Sequence, residues 1–106
     1  MNIFTGSGRL VKNATAYGNG TPVLKFTIAA KHGYDPKEGK DRVEFIPCVI
    51  FKPSDNLGMF LTDEGKGTLV EFQGRISISR YEVDGEKKYS TQVVINKSSF
   101  NILSKN

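Results

Sequence analysis

The sequence of 106 residues predicts an all-β fold, a sandwich or a barrel, with one short helix. Short β-rich runs separated by clusters of Gly, Asp, Asn and Pro are the first sign of it. The second is the run Pro22 to Lys31, where Leu24, Phe26, Ile28 and Ala30 alternate with Val23, Lys25, Thr27 and Ala29. A period of two buries one face of a strand and leaves the other for solvent or a ligand. The length sets the third bound: it suffices for one domain, residues 1–106, with one modest core, and is too short for two of ordinary size.

Taken in order, Ile3 to Val11 reads as a first strand, in which Gly6 and Gly8 permit a bend or bulge. Tyr17 to Thr21, containing Gly18-Asn19-Gly20, reads as a turn before the alternating strand. His32 to Arg42 is polar, mixing Lys37, Lys40 and Arg42 with Asp35, Glu38 and Asp41, and its length predicts a projecting loop or a long hairpin. In the strand Val43 to Phe51, Glu44, Ile46, Cys48 and Ile50 share one face, and Phe45, Pro47, Val49 and Phe51 the other. Ile46 and Ile50 belong in a core, so two phenylalanines point away from it.

The helix is expected over Ser54 to Glu64. Ser54 can cap it, Leu57, Phe60 and Leu61 fall on one side, and Gly65 stops it. It reads as a plug over a barrel end, with no ligand role. Two further strands, Thr68 to Tyr81 and Lys87 to Ile95, are joined by Asp84-Gly85, a hairpin signal. In the first of them Ile76 and Ile78 are expected to face the core, which sends Arg75, Ser77, Ser79 and Tyr81 the other way.

The 15 Lys and Arg against 11 Asp and Glu leave a formal charge of +4, which favours a polyanionic partner without demanding one. The excess is uneven: residues 1–30 carry Arg9, Lys12 and Lys25 and no acid, whereas residues 43–74 are net acidic. Cys48 is the only cysteine, which excludes an intrachain disulfide or a multi-cysteine metal site and fits a cytoplasmic protein. No export signal or membrane span is visible, so the sequons at Asn13, Asn19 and Asn96 are read as chance.

Enzyme chemistry finds little support, and neither catalytic residue, metal nor cofactor is expected. His32 is the sole histidine and falls in the polar connection; Cys48 alternates with core residues; the carboxylates gather in turns. Gly65-Lys66-Gly67-Thr68 lacks the spaced glycine and the strand-loop-helix context of a phosphate loop. Parity gathers a different set on the outward side: Lys25, Lys31, Phe45, Phe51, Arg75 and Tyr81. Bases without a complementary strand expose their π-faces, on which rings stack whatever the sequence, while cations track the phosphates. The competing use of Phe45 and Phe51 is to pack beneath a loop or against another subunit.

Along Asn2 to Asn96 the chain resembles the bacterial and phage single-stranded DNA-binding protein family. The resemblance lies in Glu44-Phe45-Ile46-Pro47-Cys48-Val49-Ile50-Phe51-Lys52, in Lys66-Gly67-Thr68-Leu69-Val70-Glu71-Phe72-Gln73-Gly74-Arg75-Ile76, and in Asp84-Gly85 followed by Tyr89 to Asn96. It implies an OB-fold, a five-stranded Greek-key barrel, and sequence-independent binding of single-stranded DNA in replication or recombination. It places stacking rings on Phe45, Phe51 and Tyr81, and also on Tyr34, about which parity is silent. It also implies a homo-oligomer, a tetramer before a dimer, and no membrane partner.

The chain departs from the family pattern in having no Trp and in ending at Leu103-Ser104-Lys105-Asn106 without an acidic tail. Recruitment of replication or recombination proteins through such a tail is therefore not expected, and a phage, mobile-element or primosomal relative is. Alternatives to strand coating are a primosome or protein-interaction module and a single-stranded RNA-binding OB domain.

Overall fold

The computed structural model describes residues 1–18 and 20–106, so Asn19, the centre of the expected Gly18-Asn19-Gly20 turn, lies outside the described residues. The strands are β1 (Phe4–Leu10), β2 (Thr15–Tyr17), β3 (Val23–Asp35), β4 (Lys40–Phe51), β5 (Leu69–Val83), β6 (Glu86–Ile95) and β7 (Asn101–Ser104). Helix α1 (Asp55–Glu64) separates β4 from β5, and a 3-10 turn (Lys97–Ser99) precedes β7.

Five strands close on themselves. β1 pairs with β3, β3 with β4, β4 with β6, β6 with β5, and β5 returns to β1. All these pairings are antiparallel except β4 with β6, which meet in parallel at Cys48–Val93 and Val49–Val94. Parallel neighbours cannot be joined by a hairpin, and here the helix and the β5 return supply the crossover. This is the five-stranded Greek-key barrel of the OB-fold, with β2 added to β3 and β7 to β5.

Closure rests on β1 changing partners midway. Residues Phe4 to Arg9 pair with β5 without a register shift, and Arg9 and Leu10 pair with β3. At the crossing Gly8 lies so close to β3 that a Cβ on it would sit 2.6 Å from the Ala29 carbonyl oxygen. The glycine there serves close approach between strands, where the sequence alone allowed a bend or bulge.

The alternation expected from Pro22 to Lys31 holds: Leu24, Phe26 and Ile28 are buried beside Cys48, Ile50, Val70, Phe72, Val93 and Ile95. Aromatic packing runs through this core, with Phe72 at 5.9 Å from Phe4 and 6.1 Å from Phe100, and Phe100 at 6.2 Å from Phe26. The helix plugs the barrel end. Ser54 Oγ accepts from Leu57 N–H at 3.2 Å as an N-cap, Leu61 is fully buried, and Leu57 and Phe60 pack against the core. The Leu61 carbonyl accepts from Ala14 N–H at 2.8 Å, which ties the helix to the segment before β2. Among the described residues no helix is long and apolar enough to cross a membrane.

Two hairpins run past the barrel. The polar connection His32 to Arg42 is no loose loop, for β3 and β4 stay paired out to Asp35–Lys40. β5 and β6 likewise stay paired out to Val83–Glu86, turning on Asp84 (φ 51°) and Gly85 (φ 81°). Two successive positive φ values make the tight turn that Asp-Gly favours. These arms explain a radius of gyration of 15.0 Å, against about 13 Å for a compact chain of about 100 residues.

The arms also overturn one expectation. Ile76 and Ile78 continue the core side of β5 by parity, yet they are 42% and 60% exposed. β5 has left its pairing with β1 at Gly74, so the side that is core at Val70 and Phe72 is only partly covered at Ile76 and more open still at Ile78.

Candidate nucleic-acid interface

Cross-strand partners carry their side chains on the same face, so the register assembles the outward surface row by row. One row holds Thr15 (β2), Lys25 (β3), Val49 (β4), Val94 (β6) and Arg75 (β5). It sets Lys25 and Arg75 at opposite sides of the face, three strand spacings or about 14 Å apart. The adjoining row holds Tyr17, Val23 and Phe51. Beyond Val49 in the other direction come Thr27 beside Pro47, then Ala29 beside Phe45, then Lys31 beside Val43. On the second arm Ser77, Ser79 and Tyr81 lie beside Gln92, Ser90 and Lys88.

Lys25, Lys31, Phe45, Phe51, Arg75 and Tyr81 therefore do share one continuous surface. Tyr34 joins them through a bulge. Lys31 stands opposite Val43 but Gly33 stands opposite Arg42, so one extra residue enters β3 and parity reverses beyond it. Tyr34 is thereby placed opposite Asp41, on the side of β4 that carries Val43 and Phe45.

Phe45 is 65% exposed and Phe51 46%. Among the seven phenylalanines they are the two outside the packed interior, since Phe4, Phe26, Phe60, Phe72 and Phe100 all belong to the core or pack against it. Val49 departs from expectation: it points outward by parity and is buried. The register sets it in the middle of the widest row, with Lys25 on one side and Val94 on the other.

Sequence reasoning did not single out Tyr17. It is exposed, and the Lys25 ammonium sits 5.2 Å from its ring centroid. Together with Thr27, Phe45, Pro47 and Gln92 this pair lines a groove of about 440 Å³. Lys12 and Lys88 also reach this surface, the first as part of the groove wall and the second opposite Tyr81. The cations differ in availability. Lys31 is engaged by Asp41 at 3.2 Å, whereas Lys25 and Arg75 are in no ion pair among the described residues.

Cys48 and His32 are each engaged elsewhere. Burial pushes the Cys48 thiol up to about 12, and its Sγ donates to the Ile46 carbonyl at 3.4 Å. It is a small core residue, not a nucleophile. His32 meets Glu44 at 3.2 Å on the side of the arm facing away from this surface. Among the described residues no group of three or more His, Cys, Asp or Glu is placed to hold a metal ion.

The model of the single-strand binding protein family matches residues 1–101. The chain belongs to this family. A relative described as a single-stranded DNA-binding protein in Clostridium perfringens is 33% identical over 105 residues, covering 94% of this chain and 65% of its own length. The single-stranded DNA-binding protein 3 of Listeria innocua is 33% identical over 104 residues, again covering 94% of this chain, and 63% of its own length. This chain thus spans slightly under two thirds of these two curated relatives. Among solved structures, a Plasmodium falciparum SSB in complex with ssDNA superposes with a TM-score of 0.75, over 98% of this chain and 96% of that one. At 16% identity that likeness bears on the fold, and it agrees with the OB barrel.

Proposed function

We propose that this chain binds single-stranded DNA without sequence preference across its outward face, coating strands exposed in replication or recombination. One observation carries the reading: Phe45, Phe51, Tyr81 and Tyr34 share a continuous surface with Lys25, Lys31 and Arg75. Tyr17 extends that surface at its β2 edge. Rings accept any base and cations accept any phosphate, so such a face has no means of reading sequence but discriminates against a duplex, whose bases are already stacked. Binding only the open strand draws hairpins toward the open form by mass action. The names of the related proteins support the same ligand.

On this reading the chain is one binding domain, residues 1–106, that works in the cytoplasm without a cofactor or a reaction of its own. It assembles as a homo-oligomer. The exposed Ile76 and Ile78 supply apolar surface that a second copy would cover.

The test is a competition titration with single-stranded DNA, duplex DNA and single-stranded RNA at two salt concentrations, on protein of measured mass. Preference for the DNA single strand, with an affinity that falls as salt rises by about 0.7 log units per log unit of salt for each phosphate neutralised, is the expected result. Preference for RNA, or an affinity indifferent to salt, would overturn it.

A further inference from the structure

Tyr34 reaches the outward face because β3 carries one residue more than β4 at this point. Lys31 stands opposite Val43 and Gly33 opposite Arg42, which leaves His32 as the unpartnered residue of the bulge. Were the strands paired without the bulge, His32 would stand opposite Arg42, Gly33 opposite Asp41 and Tyr34 opposite Lys40. Lys40 and Arg42 share the reverse side of β4 with Glu44 by parity. Tyr34 would turn to that side as well, since a slip of one residue flips every side chain beyond it. The turn would lengthen from residues 36–39 to 35–39, and both lengths are ordinary in hairpins. Turn length alone therefore does not choose between the bulged and the flat register.

Three features favour the bulged register. Gly33 holds φ 143°, a conformation that favours glycine, and a Cβ there would meet nothing within 4 Å, so the backbone and not space reserves the position. The Asp35 carbonyl accepts from Gly39 N–H at 2.8 Å across the turn. On the reverse side His32 Nε2 lies 3.2 Å from Glu44 Oε1. In the bulged register His32 thus meets a carboxylate, whereas in the flat one it would meet the Arg42 guanidinium. The side chains of this pair are 46% and 67% exposed, so as a plain surface contact it stabilises the arm little. Its leverage lies in the choice between two pairings of opposite charge. We infer that His32 and Glu44 are a positioning pair for the strand-binding face, which selects the bulged register of the β3–β4 arm and so turns Tyr34 toward the bound strand. The inference rests on the proposed strand-binding function and deepens it: His32 and Glu44 lie on the far side of the arm and act through Tyr34.

The experiment titrates an oligothymidylate of about 16 nucleotides, the upper end of what one OB barrel covers, against wild type, His32→Glu, His32→Lys and a deletion of His32. Each is made with and without Tyr34→Ala. A glutamate at this position is repelled by Glu44 in the bulged register and attracted by Arg42 in the flat one. His32→Glu is therefore expected to weaken binding several-fold where Tyr34 is present, and clearly less where Tyr34 is already Ala. His32→Lys keeps the attraction to Glu44, and its effect is expected not to depend on Tyr34. The deletion leaves a flat arm with Gly33 still opposite Arg42 and Tyr34 still opposite Asp41, so Tyr34 stays outward and keeps its contribution. Cross-strand proton contacts in NMR spectra read the register itself: residue 34 against 41 in wild type, His32→Lys and the deletion, with new contacts to residue 40 in His32→Glu. An equal loss from His32→Glu with and without Tyr34, a deletion that loses as much as Tyr34→Ala, or no contact between residues 34 and 40 in His32→Glu would each overturn the positioning role. Failure of the proposed function is distinguishable, because wild type itself would then not bind the oligomer while residues 34 and 41 stayed in contact.

Discussion

The two arms are built alike and charged differently. Both are antiparallel hairpins that outrun the barrel, and both bring a tyrosine, Tyr34 or Tyr81, onto the outward face. On the β3–β4 arm Lys31, His32 and Lys40 are already engaged by Asp41, Glu44 and Glu38. On the β5–β6 arm Arg80, Lys87 and Lys88 have no such partners among the described residues, and Arg80 lies over a ring instead. A phosphate approaching Lys31 or Lys40 on the first arm has to displace a carboxylate, whereas Lys37 and Arg42 there, like Arg80, Lys87 and Lys88 on the second, are in no ion pair among the described residues. On the proposed function, the freedom of the cations and not their number is expected to decide where a phosphate is held.

The largest effect that sharpens this comparison belongs to the ground on which both arms stand. Phe72→Ala removes the ring that packs on both Phe4 and Phe100, and should cost about 3–5 kcal/mol of stability. In a chemical-denaturation titration, affinity per folded molecule should stay unchanged. Next in size, Tyr81→Ala should lose about 1–3 kcal/mol of strand affinity, as stacking platforms do, and Tyr34→Ala measurably less, read by fluorescence anisotropy at one salt concentration. Equal losses at the two tyrosines would erase the distinction between the arms. The smallest effect is a gain: Asp41→Asn frees the Lys31 ammonium from an exposed ion pair, whose own worth is about 0–1 kcal/mol. Affinity at low salt should rise by no more than about fivefold, with a steeper salt dependence, and Lys31→Ala in the same background should remove the gain.

Features set by a few neighbouring residues were legible in the sequence. The Asp84-Gly85 turn, the Ser54 cap and the alternation of Leu24, Phe26 and Ile28 each follow from local geometry, and parity alone turned Phe45, Phe51, Arg75 and Tyr81 outward. What escaped depends on where the barrel stops. Ile76 and Ile78 keep the parity of core residues, but only the closure of β5 on β1 at Phe4–Gly74 shows that they lie beyond it. Tyr17 belongs to a strand of three residues that exists because β3 offers it an edge, and Thr15-Ala16-Tyr17 has no pattern long enough to announce it. The position of Tyr34 turns on one extra residue between Lys31 and Gly33, and a bulge of that kind leaves no signal in hydrophobic periodicity.

The most direct test of the outward face as a strand-binding surface uses Phe45 and Phe51, six residues and about 20 Å apart along β4. Each is replaced by Ala, and thermal midpoint, oligomer mass and single-strand affinity are measured on every variant. The account predicts an affinity loss of about 1–3 kcal/mol for either replacement, with little base preference, a midpoint near that of wild type and an unchanged mass. A fall in midpoint or mass with unchanged affinity per folded molecule would contradict it, and would assign both rings to a subunit interface.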